Sequence, residues 1–400
     1  MTNGCRVSIY SQDSLGLGHL RRNIVIGAAL LEATRDNPVL LLADSPVAPF
    51  FPVPERMDHV KLPSIRKVTA GHWEATRLPI GEREMIRFRR NLLCDALLNF
   101  RPDLLLVDHM PAGARGELLP ALMALKEIHP ESFIVLGLRD ILDRQEVIQR
   151  VWENEGAYDA LRLYYDRVLI YGSDKIFQTD QVYGLPTLPR GTQYCGYVVK
   201  RGPVEPLAEI YPASAPERTP LVFVSAGGGD DGQVLMRTYV DAVRLLGTRA
   251  KFATLMAVGV NAPLHLQAEL QAQACGLPIQ IVSYVHHSRS HMAAADLVVC
   301  MAGYNTISEV LYLKKKALVV PRPGPSAEQR MRAVLLAQKN LIDVLDPADL
   351  SAEALAQRLL EDLERTDYPP ADDVVPLDGA RQAADRLLEL LGQGVYAARV

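Results

Sequence analysis

Short apolar runs alternate with longer stretches of helical periodicity along almost the whole chain, in two series separated by a proline-rich break. In the first series, residues 6–10, 39–43, 103–108, 133–138 and 167–171 have the length and apolar character of buried strands. Residues 18–34, 82–100, 117–129 and 141–161 between them carry apolar residues at helical spacing. The second series has strand candidates at 221–225, 251–258, 279–284, 297–300 and 317–320. Its helix candidates are 233–246, 264–275, 287–295, 306–313 and 327–339, and an amphipathic stretch at 378–391 closes the chain. Strands that alternate with helices predict βαβ units, and therefore parallel sheets covered by helices on both faces.

The break lies at residues 196–220, with five prolines between Pro203 and Pro220. Proline removes a backbone donor and disfavours both helix interior and central strand, so residues 201–220 are expected to be a linker. The expected organisation is a domain over 1–200, the linker, a domain over 221–377, and a terminal helix over 378–400 that packs back across the boundary. Two doubly wound domains would leave a cleft, with ligands outside the carboxyl ends of the strands.

Composition narrows the class. The 400 residues are 48% hydrophobic and 22% charged, which suits a packed chain and excludes a largely disordered one. Forty-three Lys and Arg against 47 Asp and Glu leave a net charge of −4, so no global basic field points to nucleic acid. Cys5, Cys94, Cys195, Cys275 and Cys300 are scattered without a C-x-x-C pair, which argues against a disulfide framework or a zinc site. The first residues lack a signal-peptide pattern and no run approaches the ~18 apolar residues of a membrane span. A cytoplasmic location is expected, with room for a peripheral membrane contact.

Four loops after strands carry the chemistry. Ser14 to Arg22 places Gly16, Gly18 and His19 between the first strand and first helix. Glycines there let a ligand approach the backbone, and an imidazole with a reference pKa near ~6.5 suits proton abstraction. A tight turn with a packed histidine is the plainer alternative. Ser225 to Gly232 contains Gly227, Gly228 and Gly229, whose N–H groups could form a nest for phosphate oxygens. Ala302 to Glu309 places Gly303, Tyr304, Asn305 and Thr306 at a helix start, where an anion is stabilised by the peptide dipoles. Glu309 could accept hydrogen bonds from a vicinal diol, and an ordinary capping arrangement with Asn305 or Thr306 explains the same spacing. Pro321 to Ala333 ends a strand in a proline-rich loop before Glu328 and Gln329.

Other strand ends offer Asp108-His109 and Arg139-Asp140. Asp108 is a second candidate base, or an orienter for a histidine, with a helix cap as the alternative. Arg83, Arg87 and Arg90 share a helix face, a solvated surface or a site for an anionic acceptor or membrane.

In order and spacing these motifs resemble the GT-B glycosyltransferases, and within them the group that adds N-acetylglucosamine to the lipid-linked peptidoglycan precursor. The likeness is densest over residues 293–333. It implies a GT-B fold of two Rossmann-like doubly wound domains, the first binding the acceptor and the second a nucleotide sugar. It further implies that Gly227, Gly228, Gly229, Gly303, Tyr304, Asn305 and Thr306, with Gly18, flank the donor diphosphate. Tyr284, Val285 and His286 would meet the base and Glu309 the ribose, while Glu328 and Gln329 would touch the sugar. His19 or Asp108 would act on the acceptor. The implied reaction transfers a sugar from a UDP-linked donor to an unknown acceptor, a small molecule or a lipid-linked glycan, with inversion. It needs no cofactor beyond the UDP-sugar co-substrate, no metal and no nucleic acid. The chain departs from the family pattern at Arg332, where Asn is usual, and at Tyr304, where a small residue is usual. The turn Gly16, Gly18, His19, Arg22 also resembles that of nucleotide-sugar hydrolases of the pseudaminic-acid pathway, in which water is the acceptor.

Overall fold

A computed structural model describes residues 4–12, 17–69, 72–204, 219–228, 231–366 and 374–392. The chain divides into two compact units, Met1–Val199 with Asp378–Val400, and Lys200–Leu377. Of the proline-rich stretch, residues 205–218 lie outside the described residues, as does Gly229 of the glycine turn.

The first unit is built on a seven-stranded parallel sheet in the order β3-β2-β1-β6-β7-β8-β9. These strands are β1 (Val7–Ser11), β2 (Val39–Ala43), β3 (Met57–Lys61), β6 (Leu104–Asp108), β7 (Phe133–Arg139), β8 (Arg167–Tyr171) and β9 (Thr192–Tyr194). Every residue of β1, β6 and β8 is buried, the signature of a parallel sheet covered on both faces. The helices are α1 (Gly18–Glu32), α2 (Glu82–Phe100), α3 (Leu119–Ile128), α4 (Gln145–Asn154), α5 (Ala157–Tyr164) and α6 (Thr179–Val182). A last helix, numbered α13 (Gly379–Leu390), packs against α1 and buries Ala383, Ala384, Leu387 and Leu388.

Two sequence readings need correction here, and residues 63–79, where the sequence pattern names no element, hold two strands: β4 (Ile65–Thr69) and β5 (His72–Ala75) pair antiparallel. Ile65 and Trp73 of this pair are buried in a small core with Met85, Ile86 and Ala114. The single helix expected over 141–161 is two, because Gly156 turns left-handed at φ 67° between α4 and α5. It also starts later, since Asp140 and Asp143 accept from the N–H groups of Ile141 and Arg144, each at 2.8 Å, and hold a turn there.

The second unit has a six-stranded parallel sheet, β12-β11-β10-β13-β14-β15. The strands are β10 (Leu221–Ser225), β11 (Ala253–Ala257), β12 (Ile279–Val282), β13 (Leu297–Cys300), β14 (Ala317–Val319) and β15 (Asp343–Val344). The helices are α7 (Gln233–Leu246), α8 (Leu264–Gln273), α9 (Ser288–Ala294), α10 (Tyr304–Tyr312), α11 (Glu328–Ala337) and α12 (Ala352–Glu364). The sequence pattern names no element between 340 and 377, where β15 and α12 lie. The Ser351 hydroxyl caps α12 by accepting from the Ala354 N–H at 3.1 Å, and α12 packs on α7.

Each sheet reverses its strand order at one place: between β1 and β6 in the first unit, and between β10 and β13 in the second. In open α/β sheets the loops leaving the carboxyl ends of such strands are the usual ligand position. The four loops concerned are those after Ser11, Asp108, Ser225 and Cys300.

Candidate functional site

In the first unit, His19 opens α1 and Asp108 ends β6, on the two sides of the switch point. His19 Nδ1 lies 2.5 Å from Asp108 Oδ2, and Arg22 Nη2 donates to Asp108 Oδ1 at 2.7 Å. Burial alone would raise the Asp108 carboxyl, but Arg22 and then His19, by charge and hydrogen bond, hold it well below the ordinary carboxylate range. An ionised Asp108 only accepts, so Nδ1 of His19 carries the proton and its lone pair sits on Nε2. Arg22 Nη2 also approaches His19 Nδ1 to 2.9 Å, which is then a contact between two N–H groups that share the Asp108 carboxylate.

Beneath this group Arg22 is layered over the Tyr171 ring, 5.6 Å from its centre, and Gly137 has no room for a Cβ because the Tyr171 hydroxyl fills that space. His109 follows Asp108 with a left-handed φ of 70° and its ring centre 5.3 Å from that of His19. Burial, with Arg139 next to it, pushes His109 well below its ordinary pKa, so it is neutral.

A second polar group beside this one was not legible as such in the sequence. Arg89, fully buried, donates through Nε and Nη2 to both oxygens of Glu117 at 2.6 Å and through Nη1 to Asp44 at 2.9 Å. Gln12 donates to the other Asp44 oxygen at 2.8 Å, and the Tyr10 hydroxyl donates to Glu117 at 2.6 Å. Two carboxylates share one cation, so burial pushes Asp44 up to about 7 against the pull of Arg89. The available signal was helical phase: Met85, Ile86, Arg89, Leu93 and Leu97 are the buried residues of α2, whereas Arg83 and Arg87 are exposed and Arg90 is half-buried.

In the second unit the glycine turn after β10 and the start of α10 after β13 are neighbours, because their strands pair. Gly227 has a left-handed φ of 67°, and nothing among the described residues lies within 4 Å of where its Cβ would be. Gly303 is equally open, its nearest such atom being Thr306 Oγ1 at 4.0 Å. Gly228 O accepts from the Asn261 N–H at 2.8 Å, which ties the turn to the loop after β11. Helix α10 starts at Tyr304 with Gly303 as its cap residue and no side-chain cap. Asn305 and Thr306 therefore sit inside the first turn, and the capping arrangement considered for them is not the one formed. Both are half-buried, as is Glu309.

Two expected ligand side chains are turned inward. Tyr304 is 4% exposed and its ring lies under the guanidinium of Arg332, so it offers the site only its backbone. Glu328 is buried and accepts from Arg332 Nη1 at 2.8 Å, while the same nitrogen donates to Ala302 O at 3.1 Å. The two departures from the family pattern, Arg332 and Tyr304, are thus one packed unit. Gln329 Oε1 accepts from the Arg322 N–H at 3.2 Å. Tyr284 is 49% exposed and meets His286 edge-on at 4.9 Å, with Val285 half-buried between them. Gly18 is the first residue of α1, in the first unit rather than with the other glycines. Arg322 also donates to Asp231 Oδ2 at 2.9 Å, a link that no short motif announces. Among the described residues no group of three or more His, Cys, Asp or Glu is placed to hold a metal ion, and no helix is long and apolar enough to cross a membrane.

Two Rossmann-like units, each with a polar or glycine-lined switch point, define a GT-B architecture. Residues 221–387 match the glycosyltransferase family 28 C-terminal domain, and the chain resembles the peptidoglycan lipid-intermediate N-acetylglucosaminyltransferase group. The UDP-N-acetylglucosamine–N-acetylmuramyl-(pentapeptide) pyrophosphoryl-undecaprenol N-acetylglucosamine transferase of Citrifermentans bemidjiense is 32% identical over 146 residues, 36% of this chain. The chain spans 39% of that relative's length. Among solved structures, MurG of Acinetobacter baumannii superposes with a TM-score of 0.58 at 13% identity, covering 97% of this chain and 98% of the other. A putative UDP-N-acetylglucosamine 2-epimerase from Listeria monocytogenes gives 0.64 at 12% identity, covering 97% and 96%. At such identities these superpositions speak for the fold and not for the reaction.

Proposed function

We propose that this protein transfers a sugar from a nucleoside diphosphate donor, UDP-linked, to a hydroxyl or amine acceptor with inversion at the anomeric carbon. The observation that carries the reading is the pair of glycine-lined turns, open at Gly227 and at Gly303, side by side at the switch point of the unit that matches the family 28 domain. Backbone N–H groups there, with Asn305 and Thr306 in the first turn of α10, would receive the diphosphate and stabilise the charge that develops on it as the sugar leaves. Glu309, two turns along at most, would take the ribose hydroxyls, and Tyr284, Val285 and His286 the base.

In the first unit, Asp108 orients His19 so that Nε2 is its basic nitrogen. Nε2 would accept the acceptor proton as the acceptor atom bonds to the anomeric carbon and the bond from that carbon to the diphosphate oxygen breaks. The name of the Citrifermentans relative specifies a pyrophosphoryl-undecaprenol acceptor. On that likeness we read the acceptor as lipid-linked, reached from a peripheral position at the membrane. Exposed Arg83 and Arg87, with exposed Phe88 on α2, suit an anionic surface of that kind.

The test is release of UDP from a panel of UDP-sugars, with and without a bacterial lipid extract. Release that requires the extract and is lost in H19A supports transfer. Fast release in buffer alone would make the protein a hydrolase. Failure to bind any nucleoside diphosphate by calorimetry would sink the reading, and a Glu309→Ala variant that binds UDP as tightly as the parent would remove the ribose assignment.

A further inference from the structure

We propose that Arg322 is a donor-binding residue whose guanidinium, tethered by Asp231, takes an oxygen of the donor diphosphate. The proposal rests on the reading of the second unit as the nucleotide-sugar site, and adds to it a cation that the motifs do not supply.

The argument is topological first. Strands β10, β13 and β14 lie next to one another in that order. The glycine turn after β10 and the proline-rich loop after β14 therefore flank the turn from β13 into α10. Arg322 sits on the β14 loop and Asp231 on the glycine turn, and their side chains meet at 2.9 Å. A link between the two outer loops must pass over the end of the middle strand, where the open Gly303 precedes α10. The guanidinium is thus carried to the place where the two open turns converge.

Its setting is that of a held but uncommitted donor. The loop is stiffened by Pro321 and Pro323 on either side, and the Arg322 N–H is fixed on Gln329 Oε1. The Arg322 Nε is buried and has no acceptor among the described residues. A guanidinium has five N–H donors in a planar fork that matches two oxygens of a phosphate. The side chain of Arg322 is 25% exposed and that of Asp231 43%, so the pair is open to exchange with a solvent-borne anion. Such half-exposed pairs are weak, and a diphosphate competes well against one carboxylate. Arg332 is fully buried and already serves Glu328 and Ala302 O, and Arg330 donates to Asp346 at 2.6 Å.

Calorimetry on the whole chain with UDP tests this, and saturation-transfer NMR with uridine is the phosphate-free control. R322Q is expected to weaken UDP at least tenfold, leave uridine binding unchanged and melt with the parent, while R322K falls between. D231N, which frees the guanidinium, is expected to hold or tighten UDP. UDP affinity within twofold of the parent in both R322Q and R322K overturns the assignment and leaves the site reading intact. Equal losses of UDP and uridine would overturn it too, since that marks a structural role. A parent that binds none of UDP, GDP, ADP or dTDP overturns the site reading, and the assignment with it.

Discussion

The guanidinium of Arg332 lies 5.5 Å from the centre of the Tyr304 ring, and the same group pairs with Glu328 at 2.8 Å. All three side chains are buried, so the ion pair is shielded from solvent. Removing one member of a buried pair strands the other charge, at about 3–5 kcal/mol. Arg332→Ala is therefore expected to lower stability by about that amount, read by urea unfolding, and R332A/E328Q to recover much of it. The double variant failing to recover would mean that the ring contact, and not the pair, holds the loop before α10.

The His19–Asp108 pair predicts a change in turnover without a change in donor affinity. Asp108→Asn removes the acceptor that fixes the His19 proton on Nδ1. If His19 is the base, the variant should lose roughly 10²–10⁴-fold in kcat, the usual contribution of a positioned base. UDP affinity should stay as in the parent, since the glycine turns belong to the other unit. Equal losses in both would argue against the assigned role.

Gly137 and Tyr171 support that pair from below. A methyl group at 137 would overlap the Tyr171 hydroxyl, and Tyr171 carries Arg22 on its face. Gly137→Ala is expected to cost about 1–3 kcal/mol by overpacking and to reduce turnover by shifting Arg22. Deleting the hydroxyl in G137A/Y171F should restore only part of both, because ring carbons Cζ and Cε2 of residue 171 lie 2.8 and 2.9 Å from the same point. The check is the melting temperature and the UDP-release rate of the single and double variants.

Two carboxyl groups, besides Asp44, contribute to the pH response with opposite signs. Burial and the neighbouring Asp343 push Asp362 up to about 7. The folded chain then holds a proton that the unfolded chain has lost above about pH 4. Stability drains through this group as pH rises from about 4 to 7. Asp108, held low by Arg22 and His19, contributes stability above about pH 4 that is lost as pH falls. Unfolding midpoints of D362N should therefore change less between pH 5 and 7, on the order of the ordinary titration range, than those of the parent.

Much of this was readable from the sequence because both sheets are parallel and covered. Apolar runs such as 39–43 and 221–224 have the length and character of central strands, and they coincide with β2 and β10. Short edge strands were not readable: β9 and β15 have three and two residues, too few for a period to show. The hairpin β4-β5 was hidden because its buried face is only Ile65 and Trp73, set among charged residues. Among site residues, His19 and Asp108 stand at strand ends and could be named from topology. The inward turn of Tyr304 and Glu328 could not, because it depends on Arg332, a residue that reaches back a full helical turn.

Helix α13 completes the first sheet's cover from the far end of the chain, after all of Lys200–Leu377 has been made. During synthesis the side of α1 against which α13 packs is therefore made before α13, and gains that cover only after residues 200–377 have followed. A change near residue 390 therefore acts first on the unit that holds residues 1–199.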